Sequence, residues 1–390
     1  YLIREILYFS SIDWDFLYQR PHHILSGLAK KGFRIIYVNP SFFLPRLRTK
    51  LSYEDGILKV EPGMDLPFLS KSYRNFIDGG GVIVLKAASP MAGWIASVKK
   101  IDEYESLRNS LSISVQATMQ LFGFSNPAIW TNEPYWLPII KNLNHTALVY
   151  DCMDEISSFG GRSDVIHLEN DLIKKANLIL CTAERLYKRC LSYNYNSYLV
   201  PNAVDFDHFK LAVDDQPSIP GDIKEIPSPI IGYIGCVGDW FDMDLLIEIA
   251  AKNAQWSFVI IGPITCRIAA STEIPPNIYF LGKRDYFDLP RYLKQFDVGI
   301  IPFKITPLTL STDPVKLYEY FAAGVPVVST ELPEIFKYKP AVAIATDGKQ
   351  FSEGIRLALG KKDVKSYLDI ALANTWEARC REIMVLLERL

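Results

Sequence analysis

Residues 311–330 read STDPVKLYEYFAAGVPVVST, and this stretch decides how the rest of the chain is understood. Asp313 is placed to cap a helix, and Pro314 suits a first helical position. Ala322-Ala323-Gly324 ends that helix with small residues and a left-handed glycine cap. Residues 325–328, VPVV, then read as a short buried strand. Lys316 and Glu319 stand at i and i+3, on one face of the helix and near its positive end. On one helix taken alone, such a pair is most simply a solvated salt bridge. A helix-to-strand junction inside an α/β domain gives it another reading, which depends on the neighbouring segments.

Outward from that junction, a chain of 390 residues exceeds one ordinary core and calls for two domains. Apolar runs alternate with amphipathic segments twice over, the pattern of parallel sheets with crossover helices. In the first half, strands are expected at 5–9, 33–38, 82–85, 128–131, 147–150, 178–181 and 198–200. In the second half they are expected at 230–234, 257–261, 278–281, 298–301 and 325–328. Between the halves lies LAVDDQPSIPGDIKEIPSP, rich in Pro, Asp and Ser and read as a linker. The expected organisation is an N-terminal Rossmann-like domain over 1–208, a linker over 209–229 and a second Rossmann-like domain over 230–373. A helix over 374–390 follows, with Trp376, Cys380, Ile383, Met384 and Leu387 on its apolar stripe. Doubly wound domains of this kind face a cleft and bind ligands at the carboxyl ends of their strands.

The net charge of −2 gives no electrostatic reason to expect nucleic acid. The six cysteines are scattered without a C-x-x-C pair, which favours reduced core thiols over a disulfide framework or a zinc site. No apolar run is long enough for a membrane span, so any contact with the inner membrane face is expected to be peripheral and the protein cytoplasmic.

In the second half, IIGYIGCVGDWFD places Gly232, Gly235 and Gly238 at a strand end before a helix. Glycines there let backbone N–H groups approach a phosphate, although a tight strand-to-helix turn needs them too. With Asp313, Lys316 and Glu319 on a second loop, the two elements can converge on a nucleotide diphosphate. Lys316 would neutralise the diphosphate, and Glu319 would accept hydrogen bonds from a ribose diol. Arg284, in FLGKRDYFDLPRYL, is either a third phosphate contact or a surface charge.

These residues carry a resemblance. PVKLYEYFAAGVPVVST, LVPNAVDFDHF, YIGCVGDWFD and ANTWEARCREIMVLLE together look like a GT-B glycosyltransferase of the family-four-like group. DWDFLYQRPHHILSGLAKKGFRIIYVNP and LVYDCMDEISSFGG resemble a narrower bacterial set that serves surface polysaccharides, including teichuronic-acid-type transferases. The resemblance implies a nucleotide-sugar donor, a UDP-sugar first, with Glu319 at the ribose and the Gly235–Gly238 loop by the diphosphate. It implies a saccharide or lipid-linked acceptor, no metal and no further cofactor, and a last helix crossing back to the N-terminal domain. The family pattern also has a glutamate upstream of Glu319, where this chain has Ser311. Its basic pair after the glycine loop is replaced near Cys236 and Asp242, so retaining stereochemistry does not simply carry over.

On the acceptor side, LVYDCMDEISSF puts Asp151 and Asp154 at a strand end. An inverting transferase needs a base for the acceptor hydroxyl, and Asp154, further into the loop, is the first choice. Capping by Asp154 and pairing of Asp151 with a basic neighbour are the structural alternatives. Ser11, Trp14, Arg20 and His22 follow the first strand and are candidate acceptor or cleft residues, with packing the competing role for His22 and His23. Two other functions share these features: a nucleotide-sugar 2-epimerase, which would act on donor alone, and a non-catalytic nucleotide-sugar-binding partner.

Overall fold

Short runs of β-branched and aromatic residues, each followed by a helix, build two separate parallel sheets. The computed structural model describes residues 3–40, 49–54, 57–62, 80–85, 105–158, 163–214, 218–267, 272–360 and 362–390. The chain forms two compact units, Tyr1–Val200 with Cys380–Leu390, and Pro201–Arg379.

The first unit is built on nine strands: β1 (Glu5–Phe9), β2 (Arg34–Val38), β3 (Thr49–Glu54), β4 (Ile57–Pro62), β5 (Gly81–Leu85), β6 (Ala128–Thr131), β7 (Leu148–Cys152), β8 (Leu178–Cys181) and β9 (Ser197–Leu199). Their spatial order is β3-β4-β5-β2-β1-β6-β7-β8-β9. Pairing is parallel from β4 to β9, and β3 adds an antiparallel edge. The central strands are buried on both faces, which is why they read as continuous apolar runs rather than alternating ones. Helices α1 (Arg20–Lys30), α2 (Glu105–Leu121), α3 (Ser163–Lys175) and α4 (Glu184–Leu191) connect them. The β3–β4 hairpin falls where no strand was expected, between 33–38 and 82–85. Its two segments flank Asp55-Gly56 in sequence, a turn signal that the longer apolar runs overshadow.

The second unit holds six strands, β10 (Ile230–Ile234), β11 (Ser257–Ile261), β12 (Ile278–Gly282), β13 (Val298–Ile301), β14 (Val327–Thr330) and β15 (Val342–Ala345). They run in the order β12-β11-β10-β13-β14-β15, all parallel. Helices α5 (Met243–Lys252), α6 (Val315–Ala322), α7 (Gly348–Gly360) and α8 (Val364–Leu372) belong to it. Strand β14 begins two residues later than its apolar run suggested, because Pro326 has no N–H for the ladder.

The described residues of the stretch expected to be a linker, 209–214 and 218–229, are structured within the second unit. Phe209, Ala212 and Ile223 are buried in that unit's core, on short helices Phe206–Lys210 and Gly221–Lys224 or just after the first of them. Pro220 takes the cap position of the second helix, and Asp205, just before the stretch, caps the first by accepting from the His208 amide. The last helix, α9 (Trp376–Leu387), starts in the second unit, and from Cys380 onward its residues belong to the first. There Cys380 lies against Gly27 and donates to the Ile24 carbonyl. Among the described residues, no helix is long and apolar enough to cross a membrane.

Candidate functional site

In the second unit, two glycines bring adjacent strand ends together. Gly235, just after β10, has φ of 141°, and Gly262, just after β11, has φ of 144°. A side chain on Gly262 would place its Cβ 2.0 Å from the Gly235 carbonyl oxygen, so the two loops can meet only without one. Lys316 of α6 closes over this turn, its Cε 3.1 Å and its Nζ 3.4 Å from where a Gly235 Cβ would stand. The Lys316 ammonium lies 5.2 Å from the Tyr233 ring centroid and 4.7 Å from that of Phe303. Such faces hold a cation in place without neutralising it.

Lys316 and Glu319 are both half-buried, and among the described residues neither side chain makes a hydrogen bond or ion pair. Burial lowers the Lys316 pKa to about 8, opposed by the Glu319 charge. Burial likewise lifts Glu319 to about 7, opposed by Lys316. Each supports the other's charge without satisfying its hydrogen bonds. A cation beside a glycine turn and a helix start is suited to an anion, and a carboxylate with free lone pairs is suited to a pair of hydroxyls.

Two residues expected at this site are otherwise engaged. Asp313 does not cap α6: Pro314 takes the cap position, and no side chain accepts there. The Asp313 carboxylate is buried and accepts from the Asn202 amide at 2.7 Å and the Tyr318 hydroxyl at 2.9 Å. Burial raises its pKa to about 6. Arg284 donates to Asp222 at 2.6 Å and to the Tyr292 hydroxyl at 2.9 Å. Its partner comes from the expected linker, whose folding into the unit supplies the charge that occupies Arg284. Gly238 lies under the Trp240 ring, away from the Lys316 contact that Gly235 makes. Tyr233, Phe303 and Gly262 went unrecognised in the sequence, although Gly262 follows a strand-like run just as Gly235 does.

In the first unit, Asp151 is the penultimate residue of β7 and is fully buried. Arg20, at the start of α1, donates through Nε to both of its carboxylate oxygens at 3.1 Å, pairs with it through Nη2 at 3.0 Å as an ion pair, and donates through Nη1 to the Val200 carbonyl at 3.0 Å. Both residues therefore belong to an internal brace, the pairing alternative read for Asp151. The desolvation of Asp151 raises its pKa, and Arg20 opposes that. Asp154 differs: it is half-buried, lies beyond the strand end, and makes no hydrogen bond or ion pair among the described residues. Burial first, and then the Asp151 charge, lift its pKa to about 6. The loop that carries it is pinned by the Thr182 hydroxyl, which donates to the Met153 carbonyl at 2.9 Å.

His22 takes the packing role. It is fully buried, its Nδ1 accepts from the Gln19 amide at 3.1 Å, and its Nε2 donates to the Trp14 carbonyl at 2.9 Å. Burial holds its pKa down to about 4, so it is a neutral packing residue. Trp14 is buried against His22 and Tyr37, with ring centroids 4.6 Å and 4.8 Å away. Ser11 is half-buried, and its amide donates to the Asn132 side chain at 2.8 Å. Asn132 and Asn39, which shape this strand-end loop through the Ser11 and Trp14 amides, went unrecognised because asparagine after a strand is common in any turn.

Comparison with known proteins bears on both units. Residues 228–360 match the family model of group 1 glycosyl transferases. Over 282 residues the chain is 26% identical to TuaH of Bacillus subtilis, assigned to teichuronic acid biosynthesis as a glycosyltransferase; the match spans 66% of this chain and 70% of that protein. Anabaena HepE in complex with UDP-glucose superposes with a TM-score of 0.64 at 12% identity, covering 99% of this chain and 100% of that one. The catalytic domain of starch synthase IV from Arabidopsis thaliana, bound to ADP and acarbose, gives 0.61 at 12% identity, covering 100% and 99%. At such identities the structural likeness establishes the fold.

Proposed function

We propose that the chain, which has the GT-B fold and a group 1 glycosyl transferase match at residues 228–360, is a glycosyltransferase that moves a sugar from a nucleotide-diphosphate donor to a saccharide or lipid-linked hydroxyl in bacterial surface polysaccharide synthesis. The observation that carries the donor assignment is the Lys316–Glu319 pair, half-buried beside the Gly235 turn and without a hydrogen bond or ion pair to any described residue. Lys316 neutralises the diphosphate, and Glu319 accepts from the ribose diol. Lys316 and the helix start do the work a divalent ion would do, so transfer needs no metal. UDP is the expected nucleotide, since HepE is described with UDP and with UDP-glucose, and TuaH supports the polysaccharide setting.

Asp154 is the proposed base. It takes the proton of the acceptor hydroxyl as that oxygen attacks the anomeric carbon, the bond from that carbon to the phosphate oxygen breaks, and the nucleoside diphosphate leaves. Transfer by this route inverts the anomeric configuration, which product NMR reads directly; retention would remove Asp154 from the role. A thermal-shift panel of UDP, GDP, dTDP and their sugars tests the donor assignment. A ligand at 100 times its dissociation constant adds about 2.7 kcal/mol of stability, and UDP compounds should give the largest shift. No shift with any of them would overturn it. Activity should survive EDTA, and complete loss restored by magnesium or manganese would contradict metal independence.

A further inference from the structure

Three thiols that stand far apart in sequence meet inside the first unit. Cys152 closes β7, Cys181 closes β8 and is its register partner, and Cys190 lies on α4. Their Sγ atoms all lie within 4.8 Å of one another, and all three side chains are fully buried. A metal ion about 2.3 Å from each of three sulfurs sets them about 4 Å apart, so the cluster needs little rearrangement to close on one.

Buried thiols can pack simply as small apolar side chains. Here charge is laid against them. The Arg189 guanidinium comes to 3.5 Å from Cys152 Sγ and grips Glu169 with two bonds of 2.7 Å and 2.8 Å. Glu169 is itself buried and accepts from the Tyr150 hydroxyl at 2.8 Å. The Arg189–Glu169 pair is neutral as a whole, and it fixes Cys152 from both sides, since Glu169 Oε1 also accepts from the Cys152 thiol at 3.9 Å, as outer-sphere partners of metal sites hold their ligands. An all-sulfur set without oxygen donors excludes magnesium and calcium and selects a soft ion.

We propose that Cys152, Cys181 and Cys190 form a structural site for a soft divalent cation of the zinc class, tying β7, β8 and α4 together. Binding exchanges three thiol protons for the ion, with no change of oxidation state. The site is separate from the Lys316–Glu319 pair and takes no part in transfer.

The test uses the full chain, reduced, with Cys236→Ser and Cys266→Ser to remove the two half-exposed thiols. Titration with cadmium, followed by thiolate-to-metal charge-transfer absorption and thermal unfolding, should saturate at one ion per chain and raise the melting temperature. Both responses should be lost in Cys190→Ala, and zinc analysis of protein purified without chelator should find the same stoichiometry. A folded protein that develops no charge-transfer absorption overturns the site, as does an undiminished response in Cys190→Ala. If Cys190→Ala fails to fold, Cys181→Ser makes the same comparison, and the titration of the parent chain decides alone.

Discussion

Strand β7 in the first unit and helix α6 in the second each carry one acidic residue beside a basic one, in opposite states. Asp151 is fully buried and bonded to Arg20, whose Nη1 also donates to a backbone carbonyl. Lys316 and Glu319 keep their charges half-buried without a hydrogen bond to any described residue. A buried charge that is fully paired holds the fold together, because removing its partner leaves it stranded. A half-buried charge without a partner is stabilised only when a ligand supplies one. Asp154 falls in the second class, although it lies only a few residues from Asp151.

The sharpest way to break this division is to exchange the two aspartates' roles experimentally. Asp154→Asn should lower turnover by about 10² to 10⁴ with UDP affinity unchanged, read from initial rates and calorimetry. Full activity in the folded variant would end its claim as base. Arg20→Ala should destabilise the first unit by about 3–5 kcal/mol in urea unfolding, the size expected for one half of a buried pair. A loss below about 1 kcal/mol would mean that the pair behaves as an exposed one.

The pairing state also predicts a pH dependence. Glu319 must be ionised to accept from the ribose, and its pKa is lifted by burial to about 7. Lys316 must be charged to hold a diphosphate, and burial has lowered its pKa to about 8. UDP affinity should therefore rise as pH passes through about 7 and fall above about 8. Lys316→Met should abolish the fall, and a flat profile in the parent chain would place both groups outside the site. The smallest effect is expected at Arg284, which is paired with Asp222 near the surface. Arg284→Ala should cost no more than about 1 kcal/mol of stability and leave UDP affinity alone; weakened binding would restore it as a phosphate contact.

What was legible in the sequence follows the range of the interactions involved. The alternation of apolar runs and helices, the glycine after β10 and the i, i+3 spacing of Lys316 and Glu319 are all local, and the fold uses them as they read. Pairing is not local. Arg20 and Asp151 are 131 residues apart, Asp313 and the Asn202 amide 111, and Arg284 and Asp222 62. Nothing in LVYDCMDEISSF says which of its aspartates meets an arginine from the start of α1. The linker was misread for the same reason, since burial of Phe209 and Ile223 depends on a core assembled from residues far along the chain. Three cysteines without a motif likewise meet only once β7, β8 and α4 are in place.

Calorimetric binding of UDP and of uridine to the parent chain, to Lys316→Met and to Glu319→Gln tests the central claim most directly. The account predicts that Lys316→Met weakens UDP by about 1–3 kcal/mol while leaving uridine, which has no phosphate, unchanged. Glu319→Gln should weaken both ligands to a similar degree, because the ribose is common to them. Equal affinity of all three folded proteins for UDP would contradict the claim that this pair is held open for a nucleotide diphosphate.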